Sequence, residues 1–170
     1  QFVSVVGGLT TKFSVNPLSI IHRLGELYNA EVYYISAPAV VDDLELKDAI
    51  LGERSLQQIF QRMNDIDLTF VGIGSVGEKS TLFETGYLSP KELDNFRANG
   101  AVGEVLLYHY DLNGNILEAS FHERLIGIGL ERLKQIETII GVAAGPEKVE
   151  EIVGAVRGGL INVLITDELT

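Results

Sequence analysis

Short runs of β-branched and apolar residues, cut by glycine and separated by helical patterns, limit what this 170-residue chain can become. The runs lie at Phe2–Val6, Glu31–Ile35, Asp67–Val71, Val102–Tyr110, Thr138–Ala143 and Ile161–Ile165. Continuous apolar runs of this kind suit strands covered on both faces. Between them, Leu18, Ile21, Leu24 and Leu27 recur at helical steps within 16–28, with Pro17 where a first-turn proline is tolerated. Leu56, Ile59, Phe60 and Met63 form a second stripe, with Ser55 as its expected N-cap. Ser89-Pro90-Lys91-Glu92 carries the spacing of a capping box. Pro146 to Val156 predicts a further helix, with Val149, Ile152, Val153 and Val156 inward and Gly158-Gly159 at its end.

Strands alternating with helices read as α/β, with a mainly parallel sheet flanked by helices. Asn113-Gly114, between two strand-like stretches, predicts an antiparallel hairpin excursion from that sheet. No repeat, low-complexity tract or linker interrupts the chain, so residues 1–170 are expected to form one compact unit.

Composition narrows the function classes. Hydrophobic residues make up 46% and charged residues 22%, with a mean hydropathy of +0.20, which supports a core and excludes intrinsic disorder. Lysine and arginine number 13 against 24 acidic residues, a net charge of −11, so the chain lacks the basic footprint that nucleic-acid phosphates require. Cysteine is absent, which excludes thiol catalysis, disulfides and thiolate metal sites. No apolar run reaches the roughly 18 residues of a membrane span, and residues 1–10 lack the basic flank of a signal peptide. The expected class is a soluble, cytoplasmic globular domain. Gln1 runs straight into an apolar strand and Thr170 closely follows another, so a fragment of a longer protein is expected.

In open α/β sheets ligands bind beyond the carboxyl ends of strands, where glycine loops lead onward. One such place is Gly7-Gly8-Leu9-Thr10-Thr11, where glycines allow close backbone approach and hydroxyls add donors. A turn that needs positive φ explains the same glycine pair. A second is Gly72-Ile73-Gly74-Ser75, which lacks the third glycine of a dinucleotide fingerprint and has no acidic residue at the required offset. The third is Ala143-Ala144-Gly145-Pro146-Glu147-Lys148. A lysine at a helix N-terminus opposes the dipole unless an anion joins it, so Lys148 stands out; as an ordinary surface lysine it would add little to stability. His22, His109 and His122 show no ligand spacing, and Asp42-Asp43 and Glu150-Glu151 read as solvated charges. No catalytic motif, metal site or cofactor loop is found.

Taken in order, Val5-Val6-Gly7-Gly8, Asp67-Leu68-Thr69-Phe70-Val71-Gly72-Ile73-Gly74, Gly100-Ala101-Val102-Gly103-Glu104, Ala143-Ala144-Gly145-Pro146-Glu147-Lys148 and Leu164-Ile165-Thr166-Asp167-Glu168 resemble the effector-binding domain of SorC-type bacterial transcriptional regulators. The resemblance covers essentially the whole chain. It implies a Rossmann-like domain similar to ribose-5-phosphate isomerase and glucosamine-6-phosphate deaminase, which binds a sugar or sugar phosphate. It also implies an N-terminal helix-turn-helix domain, through which alone operator DNA is bound, a C-terminal end clipped here, and a homodimer or homotetramer.

The family's ligand positions fall on Gly7, Gly8, Leu9, Thr10, Thr11, Gly72, Gly74, Glu104 and Lys148. The resemblance assigns a phosphate to Thr10 and Thr11, sugar hydroxyls to Glu104, and a phosphate or the sugar's carbonyl end to Lys148. Thr10 and Thr11 are then expected to converge with Lys148 on one pocket. Residues 36–40 and 83–85 contain no arginine, which implies a monophosphate or an unphosphorylated sugar rather than a bisphosphate. Ala144 replaces a glycine usual in the family. An enzyme on the same fold, a sugar-phosphate isomerase or deaminase, is the alternative, since fold does not decide function. A module that only oligomerises, with an empty cleft, is a third.

Overall fold

A computed structural model describes residues 1–9 and 16–170. The chain divides into two compact units rather than the expected one. The first comprises Gln1–Ile66 and Glu123–Gly129, the second Asp67–His122 and Leu130–Thr170. The chain leaves the first unit and returns to it, so no linker composition marks the division.

In the first unit, β1 (Phe2–Val3) pairs in parallel with β2 (Val32–Tyr33), and α1 (Pro17–Tyr28) connects them. Asn16 caps α1 by accepting the Leu18 N–H, and Asn29 ends it in the left-handed region at φ 47°. Gly25 of α1 lies so close to Val32 that a Cβ there would overlap the valine side chain, which seats the helix on β2. Beyond the strands, backbone bridges join Gly8 to Pro38, Val6 to Gly127 and Val40 to Leu125. Next come α2 (Leu44–Gly52) and α3 (Arg54–Arg62). Asp43, expected to be a solvated charge, caps α2 by accepting the Leu46 N–H. Ser55 lies inside α3 rather than capping it; Glu53 holds the cap position without a side-chain bond.

The second unit runs β3 (Leu68–Gly72), β4 (Gly74–Ser75), α4 (Thr81–Glu84), α5 (Pro90–Ala98), β5 (Ala101–Val105) and β6 (Tyr108–Asp111). After α6 (Ser120–Glu123), at the boundary between the units, it continues with α7 (Leu130–Leu133), β7 (Thr138–Val142), α8 (Val149–Arg157) and β8 (Val163–Ile165). A parallel sheet has the order β3-β7-β8, and an antiparallel sheet the order β4-β5-β6. This is the expected α/β architecture, with α5 and α8 packed on β5. The Ser89–Glu92 capping box is formed in both directions. Phe96, Tyr110, Phe121, Leu133, Ile139 and Leu160 fill the core.

The antiparallel excursion differs in detail from its expectation. Asn113-Gly114 does turn the chain, with Gly114 at φ 83°, but the return is a single bridge from Ile116 to Tyr110. The main hairpin splits the run Val102–Tyr110, which had read as one strand. Leu106 and Leu107 turn it with φ of 49° and 71°, the left-handed pair that a two-residue hairpin loop requires and that leucine rarely supplies.

Candidate functional site

The second unit gathers Gly72, Gly74, Glu104 and Lys148, with Ser75 of the second glycine segment and Glu151, which had read as a solvated charge. Gly72 ends β3, paired with Val142, and Gly74 and Ser75 open β4. The antiparallel register sets Gly74 opposite Glu104 and Ser75 opposite Gly103. A side chain at Gly74 would overlap the Glu104 carboxylate, whereas the space beside Gly72 is open.

Glu104 Oε2 accepts the Leu107 N–H at 2.7 Å, so the carboxylate closes the Leu106-Leu107 turn from within. Burial pushes this carboxyl above the ordinary carboxylate range, while the Leu107 N–H and the nearby Lys148 charge pull it back. Tyr110, against Gly103, donates its hydroxyl to the Glu151 carbonyl at 2.8 Å. Burial raises the Tyr110 phenol strongly, with Glu104 and Glu151 adding to the effect.

Lys148 stands where β7 hands over to α8. Gly145, at φ 111°, begins a 3-10 turn over Pro146–Lys148, and Lys148 occupies the N-cap position of α8. The lysine is half-buried rather than solvated. Nζ donates to the Ile73 carbonyl at 3.0 Å and to Ser75 Oγ at 2.7 Å. Ser75 Oγ in turn donates to Glu151 Oε1 at 2.8 Å. The Glu150-Glu151 pair, expected to be two solvated charges, separates: Glu150 is exposed and Glu151 is 6% exposed. Glu151, reached through Ser75, and the nearby Glu104 carboxyl therefore give a lysine at a helix N-terminus acidic surroundings. A cation with one N–H left to donate, beside an acidic hydrogen-bond acceptor, can hold a small polyhydroxylic molecule by charge at one end and hydroxyl bonds at the other.

Gly7, Gly8 and Leu9 belong to the first unit. Neither glycine adopts positive φ. Gly7 is required because a Cβ there would lie 2.6 Å from the Pro38 carbonyl oxygen. The Gly7 and Gly8 N–H groups donate to Ile126 and Ala37 carbonyls at 3.0 and 2.8 Å, so they serve the backbone ladder. The Leu9 carbonyl accepts from Asn16 Nδ2 at 2.7 Å, tying the loop to the cap of α1. Thr10 and Thr11 lie outside the described residues.

His22 is exposed on α1. Buried His109 and half-buried His122 instead stack with Phe96, whose ring centroid is 3.8 Å from that of His109. Among the described residues, no cluster of histidine and acidic side chains could hold a metal ion, and no helix is long and apolar enough to cross a membrane.

The sequence profile of the family described as "Putative sugar-binding domain" matches residues 1–170. The erythritol catabolism regulatory protein EryD of Brucella abortus is 31% identical over 170 residues, covering 100% of this chain and 54% of its own length. The transcriptional regulator LsrR of an Enterobacter species is 36% identical over 151 residues, covering 86% of this chain and 47% of its own. The full-length sorbitol operon regulator SorC of Klebsiella pneumoniae superposes with a TM-score of 0.90 at 26% identity, over 98% of this chain and 55% of that structure. This chain thus spans about half the length of these relatives. Match, fold and motif order agree: the chain belongs to the sugar-binding domain family of SorC-type transcriptional regulators.

Proposed function

We propose that this domain is a non-catalytic sensor that binds a sugar or sugar monophosphate. In a longer protein, that binding shifts the operator affinity of an N-terminal helix-turn-helix domain through linkage. The observation that carries the reading is the meeting of Lys148, Glu104 and Gly74 in one place, an ammonium and a carboxyl beside a glycine that leaves them room. Lys148 takes an anionic or carbonyl oxygen of the ligand, and Glu104 accepts from its hydroxyls. Gly72 and Gly74 leave room beside them, and the family resemblance assigns the phosphate to Gly7, Gly8, Leu9, Thr10 and Thr11. The lack of basic residues in 36–40 and 83–85 favours at most one phosphate.

Relatives named for erythritol and sorbitol regulation support a carbohydrate effector, and their being regulators supports the absence of turnover. The protein works in the cytoplasm as a homodimer or homotetramer, which matches the paired half-sites of an operator. A thermal-shift screen of pentose and hexose phosphates beside their unphosphorylated sugars tests the reading. One ligand raises the melting temperature and is recovered chemically unchanged. With its charge of −11, this chain alone leaves operator DNA unshifted, whereas the ligand alters the shift by the full-length protein. No stabilising ligand, or conversion of the ligand to an isomer, would sink the proposal.

A further inference from the structure

We propose that Ser75 and Glu151 are positioning residues for Lys148: a buried carboxylate fixes a hydroxyl, and that hydroxyl aims the ammonium at one oxygen of the ligand. The inference rests on the sensing function proposed above. Glu151 lies on α8 three residues after Lys148 and is nearly sealed from water. A carboxylate in that position is costly unless it is hydrogen-bonded and near a cation. Its side-chain partner is the Ser75 hydroxyl.

The direction of each bond follows from proton counts. A carboxylate has no proton to give and an ammonium no lone pair to offer. Ser75 therefore spends its one O–H on Glu151 and turns its lone pairs toward Lys148 Nζ. Of the three N–H groups of the ammonium, Ser75 Oγ takes one and the Ile73 carbonyl a second. Among the described residues no further acceptor holds the third. Ile73 O is fixed by the backbone and Ser75 Oγ by Glu151, so the long, rotamer-rich lysine side chain is held in one geometry before ligand arrives. A single oriented donor suits one oxygen, anionic or carbonyl, rather than a chelated pair.

The reactivity of Lys148 toward acetic anhydride, read by peptide mass spectrometry, tests this in the wild-type chain and in Ser75→Ala, Ser75→Thr and Glu151→Leu. Melting curves establish that each variant is folded, and exposed Lys91 on α5 is the internal reference. Loss of one hydrogen bond predicts that Lys148 acetylation rises about three- to tenfold in Ser75→Ala and Glu151→Leu. Ser75→Thr, which keeps the hydroxyl, retains the wild-type rate. A Ser75→Ala or Glu151→Leu rate equal to wild type overturns the assignment. The absence of any stabilising sugar or sugar phosphate in the thermal-shift screen would instead overturn the sensing function and leave the positioning result standing.

Discussion

Gly74 and Glu104 face each other across the β4–β5 pairing, and the glutamate side chain occupies the space that a Cβ at Gly74 would need. The glycine is required by volume, since its φ is not in the left-handed region. With Gly74 beneath it and the Leu107 N–H on Oε2, the carboxylate has one place to go. The same bond steadies two leucines in a conformation that costs each roughly 1–2 kcal/mol. One side chain thereby couples a candidate ligand contact to an unfavourable turn.

Gly74→Ala and Gly72→Ala should therefore part company. At Gly74 the added methyl must expel the Glu104 carboxylate, and overpacking of this kind costs about 1–3 kcal/mol. At Gly72 the methyl meets open space in a strand, and reduced backbone freedom makes the change neutral or slightly stabilising. Urea denaturation of both variants checks this; equal losses of stability would contradict it.

Glu104→Gln should raise the melting temperature near neutral pH. Burial holds the folded carboxyl above its unfolded value of 4.5, so the folded state keeps its proton where the unfolded state has lost it. Stability then falls as pH rises from the unfolded value through the folded one. Glutamine still accepts the Leu107 N–H and carries no charge to desolvate. The gain should be present at pH 7 and vanish below pH 4, and an equal gain at both would exclude this cause. Ligand affinity should fall in the same variant, the usual cost of a destabilised binding group.

What the sequence disclosed was local. Pro17 and Ser89-Pro90-Lys91-Glu92 announced α1 and α5 because these signals lie within one helical turn. The break between β5 and β6 was not legible, because Leu106-Leu107 has no turn chemistry. Tertiary contacts impose it, through burial of Leu107 and the bond to Glu104. Lys148 was legible as a charge on the wrong end of a helix, but its partner Ser75 is 73 residues away. Glu150 and Glu151 looked alike because adjacent acidic residues carry no sign of direction. On a helix they point about 100° apart, and one turns inward. A lysine followed three residues later by a glutamate was the available signal for the pair.

Acid should destabilise the second unit through His109 and His122. The His109 N–H donates to His122 Nε2 at 3.0 Å, so that nitrogen must be unprotonated. Burial lowers His109 from 6.5 to about 3, with the His122 charge adding to the effect, and lowers His122 to about 4. Both stay neutral in the folded state while the unfolded chain takes up protons below pH 6.5. Stability is full above that value and falls as pH drops toward 4, by about 1.4 kcal/mol per pH unit for each histidine. His122→Gln keeps an acceptor for the His109 N–H and removes one proton from the balance. The pH slope of unfolding free energy between 6 and 4.5 should become shallower in that variant; an unchanged slope would count against the pair.

Lys148→Ala should weaken ligand binding and also lower stability, contrary to what an exposed surface lysine would do. The ammonium bonds to Ile73 O and Ser75 Oγ and lies close to Glu104. Truncation leaves a backbone carbonyl and a hydroxyl short of a donor and two acidic groups short of a cation, a loss of about 1–3 kcal/mol in unfolding free energy. Ligand affinity should fall by about 1.5–3 kcal/mol, the range for a hydrogen bond to a charged group. Lys148→Arg separates the two effects. It keeps the charge, but a planar fork cannot reproduce the compact geometry at Ser75 and Ile73. Binding should therefore stay impaired while stability partly recovers. Calorimetric titration with the sugar phosphate found by the thermal screen, beside urea denaturation, reads both quantities. Wild-type affinity in Lys148→Ala would remove Lys148 from the site, and wild-type stability would show that its bonds to Ser75 and Ile73 carry no weight in the fold.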